Sequence, residues 1–438
     1  MEAYGSAISD SCEAIKLDPK YIKAYYRRGS AYFALGKYKE ALKDFQAVAK
    51  IVPNDNDAVN KLKACEKAIR AISFAKAIES EDDNDSSSPK LIDINSLTVE
   101  STYTGPRLPD INDGDDLIIS SDFVKEMIEF FKDQKLLHLK YVMQILTFAK
   151  PLFQKSNTLL RLPIPVDEFG EDNGHFNVCG DTHGQFYDLC NIFEIGGFPS
   201  ETNPYLFNGD FVDRGSFSFE VVFTLITIKL SNPNSLFMLR GNHETKNMNK
   251  IYGFEGEILH KYNVKVYNLF SEIFNWLPLA AVIQDSIFVV HGGLSTQNEG
   301  SFLLEEIDMI PRGKEPPEMG LMSDLLWSDP QPSLGKSRSK RGVGFSFGPD
   351  ISQNFLQANN LSLIVRSHEV KDDGYVVEHN GKCITVFSAP NYCDQMGNLG
   401  AFIRFKSDLQ PTFHQFSAVP HPNIPPMRYA GLMSQFGF

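Results

Sequence analysis

Apolar residues along this chain follow two patterns, and the change between them marks its organisation. In the N-terminal part, apolar and small side chains recur three and four apart: Tyr25, Gly29 and Tyr32, then Ala41, Phe45 and Val48. That is the period of a helix with one buried stripe, and it predicts paired helices followed by an amphipathic stretch over Ala58–Ile78. From Ser121 a further helical pattern begins behind a Ser/Asp cap, with Phe123, Met127, Phe130 and Phe131 at helical spacing. Beyond it, apolar residues come in short runs that stop abruptly at polar ones: Phe176–Cys179, Tyr205–Phe207, Leu236–Leu239, Ile287–Val290, Leu363–Val365 and Cys383–Phe387. Runs of that length, rich in β-branched and aromatic residues, predict buried strands. Helical segments such as Val221–Leu230 and Lys265–Trp276 alternate with them, which places this part among α/β and α+β folds.

Read from Ile22, the residues Tyr25, Gly29, Tyr32, Ala41, Phe45, Val48 and Pro53 occupy in order the marker positions of a tetratricopeptide repeat of about 34 residues. Gly29 and Ala41 let two antiparallel helices approach closely, and the aromatics fill the gaps between them. A generic helical hairpin has the same period but no reason to match this ordered set. One period earlier, Ala7, Ala14 and Pro19 match the second half of another repeat. The array is therefore expected to be N-terminally incomplete, with Ala58–Ile78 acting as a capping helix.

Residues 79–90 (ESEDDNDSSSPK) are acidic and serine-rich, which reads as a solvated linker, with phosphorylation at Ser86–Ser88 as the alternative. Residues 91–116 read as an irregular connector. The expected layout is a partial repeat domain over 1–78, a linker and connector over 79–119, a catalytic domain over 120–415 and a tail over 416–438.

Composition narrows the setting. With 42% apolar and 22% charged residues the chain is globular, and its net charge of -13 argues against nucleic acid as the main partner. The six cysteines form no C-x-x-C pair, as expected of reduced thiols in a cytoplasmic or nuclear protein. No apolar run approaches the ~18 residues of a membrane span. Glu2, Asp10, Glu13 and Asp18 exclude a secretory signal at the start.

The candidate chemistry sits where the apolar runs end. Gly180-Asp181-Thr182-His183-Gly184 follows the first, Gly209-Asp210-Phe211-Val212-Asp213-Arg214-Gly215 the second and Gly241-Asn242-His243-Glu244 the third. His291-Gly292-Gly293, Arg366-Ser367-His368-Glu369 and Ser388-Ala389-Pro390-Asn391-Tyr392-Cys393 follow later runs. A lone histidine after a strand is usually a hydrogen-bonded loop residue; the combination is what carries weight. Asp181 and His183 converge from one turn, Asp210 offers a bridging carboxylate, and Asn242, His291 and His368 add neutral donors. A mixed nitrogen and oxygen set suits Mn, Fe or Zn better than Ca. Two such ions ionise a shared water and clamp an in-line displacement at phosphorus. His243 lies beside Asn242 as a proton donor for the leaving alkoxide, with Asp213 to orient it. Arg214 offers a fork for phosphate oxygens. Arg341 is a second candidate, although its basic loop KSRSKR also reads as solvated surface or a weak nuclear signal.

These motifs resemble those of the PPP-type serine/threonine protein phosphatases, whose GDxHG, GDxVDRG, GNHE, HGGL, RxHE and SAPNYC blocks all occur here in order. The resemblance covers 120–415 and implies a metallophosphoesterase-type central β-sandwich flanked by helices. It makes Asp181, His183 and Asp210 ligands of a first divalent metal ion, and Asp210, Asn242, His291 and His368 ligands of a second. It makes His243 with Asp213 the acid pair, and Arg214, Arg341, Asn242, His243 and Tyr392 the phosphate contacts. The repeat segment, together with Leu326–Pro330, Phe387–Gln395 and Ala418–Asn423, narrows the match to the tetratricopeptide-bearing branch.

In that branch the repeats bind the acidic C-terminal tail of heat-shock protein 90 and fold back on the catalytic groove. A short C-terminal helix supports this inhibition, and chaperone or a fatty-acid activator relieves it. Lys23 and Arg27, four apart on one helical face, match the basic residues that the last repeat contributes; partners from earlier repeats are missing, so weakened chaperone binding is expected. Two rivals stay open at this point: a dinucleoside-polyphosphate hydrolase sharing the Asp181–Glu244 block, and a co-chaperone adaptor with a dead catalytic domain.

Overall fold

The computed structural model describes residues 4–35, 37–53, 55, 57–67, 69, 97–109, 117–166, 174–296 and 302–430. The expected linker over 79–90, the end of the capping helix and the last eight residues, in the segment expected to carry a C-terminal helix, lie outside that set. The chain forms two compact units: residues up to Ser96 with Arg338–Gly344, and Leu97–Ser337 with Phe345–Phe438.

The first unit is helical, with helices at Tyr4–Leu17, Ile22–Ala34 and Tyr38–Ile51 and further helical residues over 57–67. The second and third helices bury the stripe the period predicts, Ala24, Gly29, Ala31 and Phe33 against Tyr38, Ala41, Phe45 and Val48. A side chain at position 29 would place its Cβ 3.0 Å from Asp44 Cβ and 3.3 Å from the Phe45 ring, so a larger residue there makes the facing helix give by a few tenths of an ångström. Arg28 pins the pair with a two-pronged bond, Nε at 2.9 Å and Nη2 at 2.8 Å from the Asp44 carboxylate.

Among the described residues there are fourteen strands, all in the second unit or at its boundary. In chain order they are β1 Leu159–Leu162, β2 His175–Cys179, β3 Tyr205–Phe207, β4 Leu236–Met238, β5 Ala280–Ile283, β6 Ile287–Val290 and β7 Asp329–Pro330. They continue as β8 Lys336–Arg338, β9 Phe345–Phe347, β10 Leu363–Arg366, β11 Tyr375–Glu378, β12 Cys383–Val386, β13 Gly400–Lys406 and β14 Pro411–Phe416. Six make one sheet in the order β1-β5-β6-β10-β12-β11, five a second in the order β14-β13-β2-β3-β4, and β7-β9-β8 a small third.

The two large sheets face each other across a shared core. Phe176, Val178 and Leu206 of one sheet meet Ile287, Val289, Val365 and Ile384 of the other. The alternate residues Phe288, Val290 and Ile364 point the opposite way into a second core, together with Leu325, Phe355 and Ile351 from covering helices. Double burial is why these strands read as unbroken apolar runs rather than alternating ones. On the other flank, Phe131 of helix Ser121–Lys132 meets Phe219 and Phe223 of helix Ser218–Ser231 edge-on, with centroids 5.6 and 6.2 Å apart.

Strand direction then places the loops. β2, β3 and β4 pair in parallel, as do β6, β10 and β12 through β10. A parallel bridge from Asp181 to Phe387 joins the C-terminal ends of β2 and β12. The loops leaving both sheets therefore gather at one end of the sandwich, and Asp181, His183, Asp210, Asn242, His243, His291 and His368 all stand in them.

Candidate active site

Asp181 and His183 stand just past β2, Asp210 past β3, Asn242 and His243 past β4, His291 past β6, and His368 past β10. All are buried, with Asp181 and Asp210 each 1% exposed and His291 fully enclosed. The loops that present them are bent sharply: His183, Asp210, Asp213, Arg214 and His368 all have φ between +38° and +71°. A side chain in the left-handed region costs energy, and its recurrence at five functional candidates is strain held in place by surrounding bonds. Gly241 shows how close the loops run, since a Cβ there would fall 2.2 Å from Asp210 Oδ1.

Two histidines are oriented from behind. His183 Nδ1 donates to the Val212 carbonyl at 2.9 Å and His291 Nδ1 to the Asn208 carbonyl at 2.8 Å. Each ring thereby turns its Nε2 lone pair to the interior. His183 Nε2 lies 3.6 Å from Asp181 Oδ2 and 3.5 Å from Asp210 Oδ2. His291 Nε2 lies 2.9 Å from Asn242 Oδ1, 3.2 Å from His368 Nδ1 and 3.3 Å from Asp210 Oδ2. Electron-rich atoms at these separations repel one another unless a proton or cation sits among them. Burial, then the charge of Asp210, pushes the Asp181 carboxyl up to about 7. Burial pushes His183 well below its ordinary value and lowers His291 too, so both are neutral donors. Asp210, His291 and His368 form one group with ligand atoms within 4.8 Å of one another, and His183, Asp210 and His243 form another. The donor set fits divalent cations, with Asp210 common to both groups.

His243 differs from the other histidines. Its Nδ1 donates to Asp213 Oδ2 at 2.8 Å, so this ring is oriented by a carboxylate rather than a carbonyl. Asp213 also accepts from Phe254 N–H at 2.9 Å and Asn249 Nδ2 at 3.3 Å. Burial pulls the Asp213 carboxyl upward, while the bonds from Phe254 and Asn249 pull it back down. The His243 ring stands 4.7 Å from that of His183, which puts it beside the donor cluster.

The phosphate candidates are distributed less evenly. Arg214 follows Asp213 directly, and its guanidinium lies 3.9 Å from the centre of the Tyr252 ring. Tyr392, in a short turn after β12, has its ring 5.2 Å from His183 and its N–H bonded to Asn398 Oδ1 at 2.9 Å. Arg341 belongs to Arg338–Gly344, which groups with the helical unit, and its N–H donates to Ser339 Oγ at 3.0 Å. Lys23 and Arg27 are both exposed on helix Ile22–Ala34.

Residues without a role in the sequence reading hold this arrangement together. Glu244 accepts from the main-chain N–H groups of Asp210, Phe211 and Gly241 at 2.8–2.9 Å, tying the loop after β3 to that after β4. Arg366 is fully buried and donates to the Gly292 carbonyl (2.6 Å), Asp329 (2.8 Å) and Glu369 (2.9 Å), clamping the loops of His291 and His368. Asn208 donates to the Val290 carbonyl and to Ser367 Oγ, both at 2.8 Å. The signal was present in the sequence: each lies within or beside a motif at a strand end, where a charged or amide residue in an apolar setting needs partners.

The fold and its donor cluster define a metallophosphoesterase domain, and residues 174–372 match the calcineurin-like phosphoesterase family. Residues 22–55 match the tetratricopeptide repeat, and 62–161 the PPP5 TPR repeat region. The chain is 52% identical over 437 residues to human serine/threonine-protein phosphatase 5, covering all of this chain and 85% of that one. It is 47% identical to serine/threonine-protein phosphatase T of Trypanosoma brucei brucei, covering 98% of this chain and 88% of that one. A solved phosphatase structure from Saccharomyces cerevisiae, described as similar to human PP5, superposes with a TM-score of 0.67 at 42% identity, covering 71% of this chain and all of that one. The chain belongs to the serine/threonine-protein phosphatase 5 family, with tetratricopeptide repeats ahead of a metallophosphoesterase domain.

Proposed function

We propose that the chain hydrolyses phosphoserine and phosphothreonine esters of proteins at a dinuclear metal centre. The observation that carries this reading is the inward convergence of Asp181, His183, Asp210, Asn242, His291 and His368, with two of the rings fixed from behind by carbonyls. Asp181, His183 and Asp210 would hold one ion, and Asp210, Asn242, His291 and His368 the other. Mn, Fe and Zn all suit this donor set. When bound, such ions activate the attacking water and neutralise charge on the phosphoryl oxygens.

The remaining steps belong to the protein. Arg214, Arg341, Asn242 and Tyr392 orient the phosphoryl group. His243, with its Nδ1 held by Asp213, delivers a proton from Nε2 to the departing serine or threonine oxygen. Buried walls around the cluster keep solvent from competing for that proton.

The helical unit is read as a docking and control module. Lys23 and Arg27, exposed on one face, suit an acidic, carboxylate-terminated peptide such as the tail of heat-shock protein 90, and the unit restrains the catalytic groove until a partner or a fatty acid draws it away. Cytoplasm and nucleus are the proposed compartments.

Elemental analysis of the full chain purified without added metal, paired with turnover of a phosphoserine peptide and of a dinucleoside polyphosphate, tests the central claim. Two ions per chain and preference for the peptide are expected. Full peptide turnover with one ion or none would refute the dinuclear reading, and preference for the dinucleotide would refute the substrate class.

A further inference from the structure

The loop that carries Arg214 is bonded along its length to the segment of chain just before the last described residues. Met427 N–H donates to the Arg214 carbonyl at 2.7 Å. Ser216 Oγ donates to the Pro425 carbonyl at 2.7 Å and accepts from Arg428 N–H at 3.3 Å. Arg214 Nη1 lies 3.8 Å from Met427 Sδ, within reach of a weak N–H···S bond. The guanidinium also stacks at 3.9 Å over Tyr252, whose carbonyl accepts from Arg214 N–H at 3.1 Å. Arg214 is thus held by a ring, a thioether and bonds to both ends of its own peptide unit, at a φ of +71°.

We propose that Pro425–Arg428 is a positioning strap for the phosphate fork, with Met427 and Ser216 as its positioning residues. The proposal rests on the reading of Arg214 as a phosphate contact. A free arginine side chain samples many rotamers, and ordering it on each binding event costs affinity. Fixing the backbone beneath it and packing the thioether against Nη1 removes most of that cost beforehand. The strap contributes no atom to the reaction, so its loss should appear in phosphate affinity and spare the chemical step.

The test uses the full chain with inorganic phosphate as competitive inhibitor and an aryl phosphate as substrate. Met427→Ala is expected to raise the phosphate Ki and the substrate KM about tenfold while kcat stays within about twofold, the scale of losing a supporting residue. Met427→Leu, which keeps the bulk, should restore Ki to within about threefold of the parent. Ser216→Ala, which cuts two strap bonds and leaves Met427 in place, should move Ki in the same direction. In an Arg214→Ala background Met427→Ala should add nothing, because the side chain it positions is gone. An equal Met427→Ala effect in both backgrounds, or a change in kcat and melting temperature without one in Ki, would overturn the strap. Arg214→Ala that leaves Ki unchanged would instead overturn the phosphate reading on which it rests.

Discussion

Asp213→Asn keeps the shape of the side chain and removes the charge that faces His243. In the native arrangement the carboxylate accepts from three donors: His243 Nδ1 at 2.8 Å, Phe254 N–H at 2.9 Å and Asn249 Nδ2 at 3.3 Å. An amide offers one oxygen for all three. The main-chain N–H of Phe254 cannot turn away, so it keeps that oxygen and the amide nitrogen swings towards His243. Nδ1 must then accept rather than donate, and an imidazolium at this position loses both its partner and its counter-charge. A charge-assisted bond of this kind contributes about 1.5–3 kcal/mol. At about 1.4 kcal/mol per decade, the proton-transfer step slows by about 10–150-fold. The loss should track the leaving group. A phosphoserine peptide expels an alkoxide that needs the proton, whereas a nitrophenyl phosphate expels a stable phenolate. Turnover at saturating substrate should fall by the full factor on the peptide and by only about threefold on the nitrophenyl ester. Equal losses on the two substrates would refute the pair as the proton source.

Other consequences can be checked directly. Arg366→Met removes the fully buried cation that faces Asp329 and Glu369, while Glu369 keeps Lys371 at 3.3 Å; with both carboxylates partly exposed it should cost about 1–3 kcal/mol in denaturant unfolding, and an unchanged midpoint would contradict the clamp. Removing metal with a chelator should make stability depend on pH. The Asp181 carboxyl, raised to about 7, stabilises the fold fully below its unfolded value near ~4, and that contribution is lost as pH climbs through 7. Melting temperatures of chelated and Mn-loaded protein should therefore diverge with rising pH, and parallel curves would exclude this origin. His421 supplies a second pH effect. Burial opposes its charge, but the Pro422 carbonyl and Asp394 carboxylate outweigh burial and raise its pKa. Its contribution is present below about 6.5 and lost as pH rises through the folded value. His421→Asn should cost stability in acid and nothing at about pH 8, with Asp394 and Asp188 the charges nearby.

The sequence was most legible where burial was greatest. β2, β3, β4, β6, β10 and β12 stand out as apolar runs because both of their faces are covered, and the helices Ser218–Ser231 and Val264–Trp276 fall within a few residues of expectation. β11 and β14 escaped notice because they lie at sheet edges, half exposed; β14 opens on a proline and carries His414 and Gln415 among its apolar residues. β13 begins on glycine and holds Arg404, which bonds Asn177 at 2.8 Å across the sheet. Donor residues were legible because mixed carboxylate, amide and imidazole groups seldom cluster at strand ends without cause. Arg366 and Glu244 sat inside the same motifs, but which donors and acceptors satisfy a buried charge depends on loops distant in sequence. No period or spacing expresses that.

The double burial of β6 has a further consequence. Ile287 and Val289 face one core while Phe288 and Val290 face the other, so sliding the strand by one residue would exchange apolar for apolar. Alternation of hydrophobic character, which indexes a one-sided sheet, carries almost no information here. What distinguishes the native alignment is the polar residue at the end of the run. Asn208 grips the Val290 carbonyl, and His291 returns a bond to Asn208. His291, proposed as a metal ligand, thus also serves with Asn208 as a ruler mark for the end of β6. A descendant that discarded its chemistry would have to keep those side chains, or invent another means of counting residues into place.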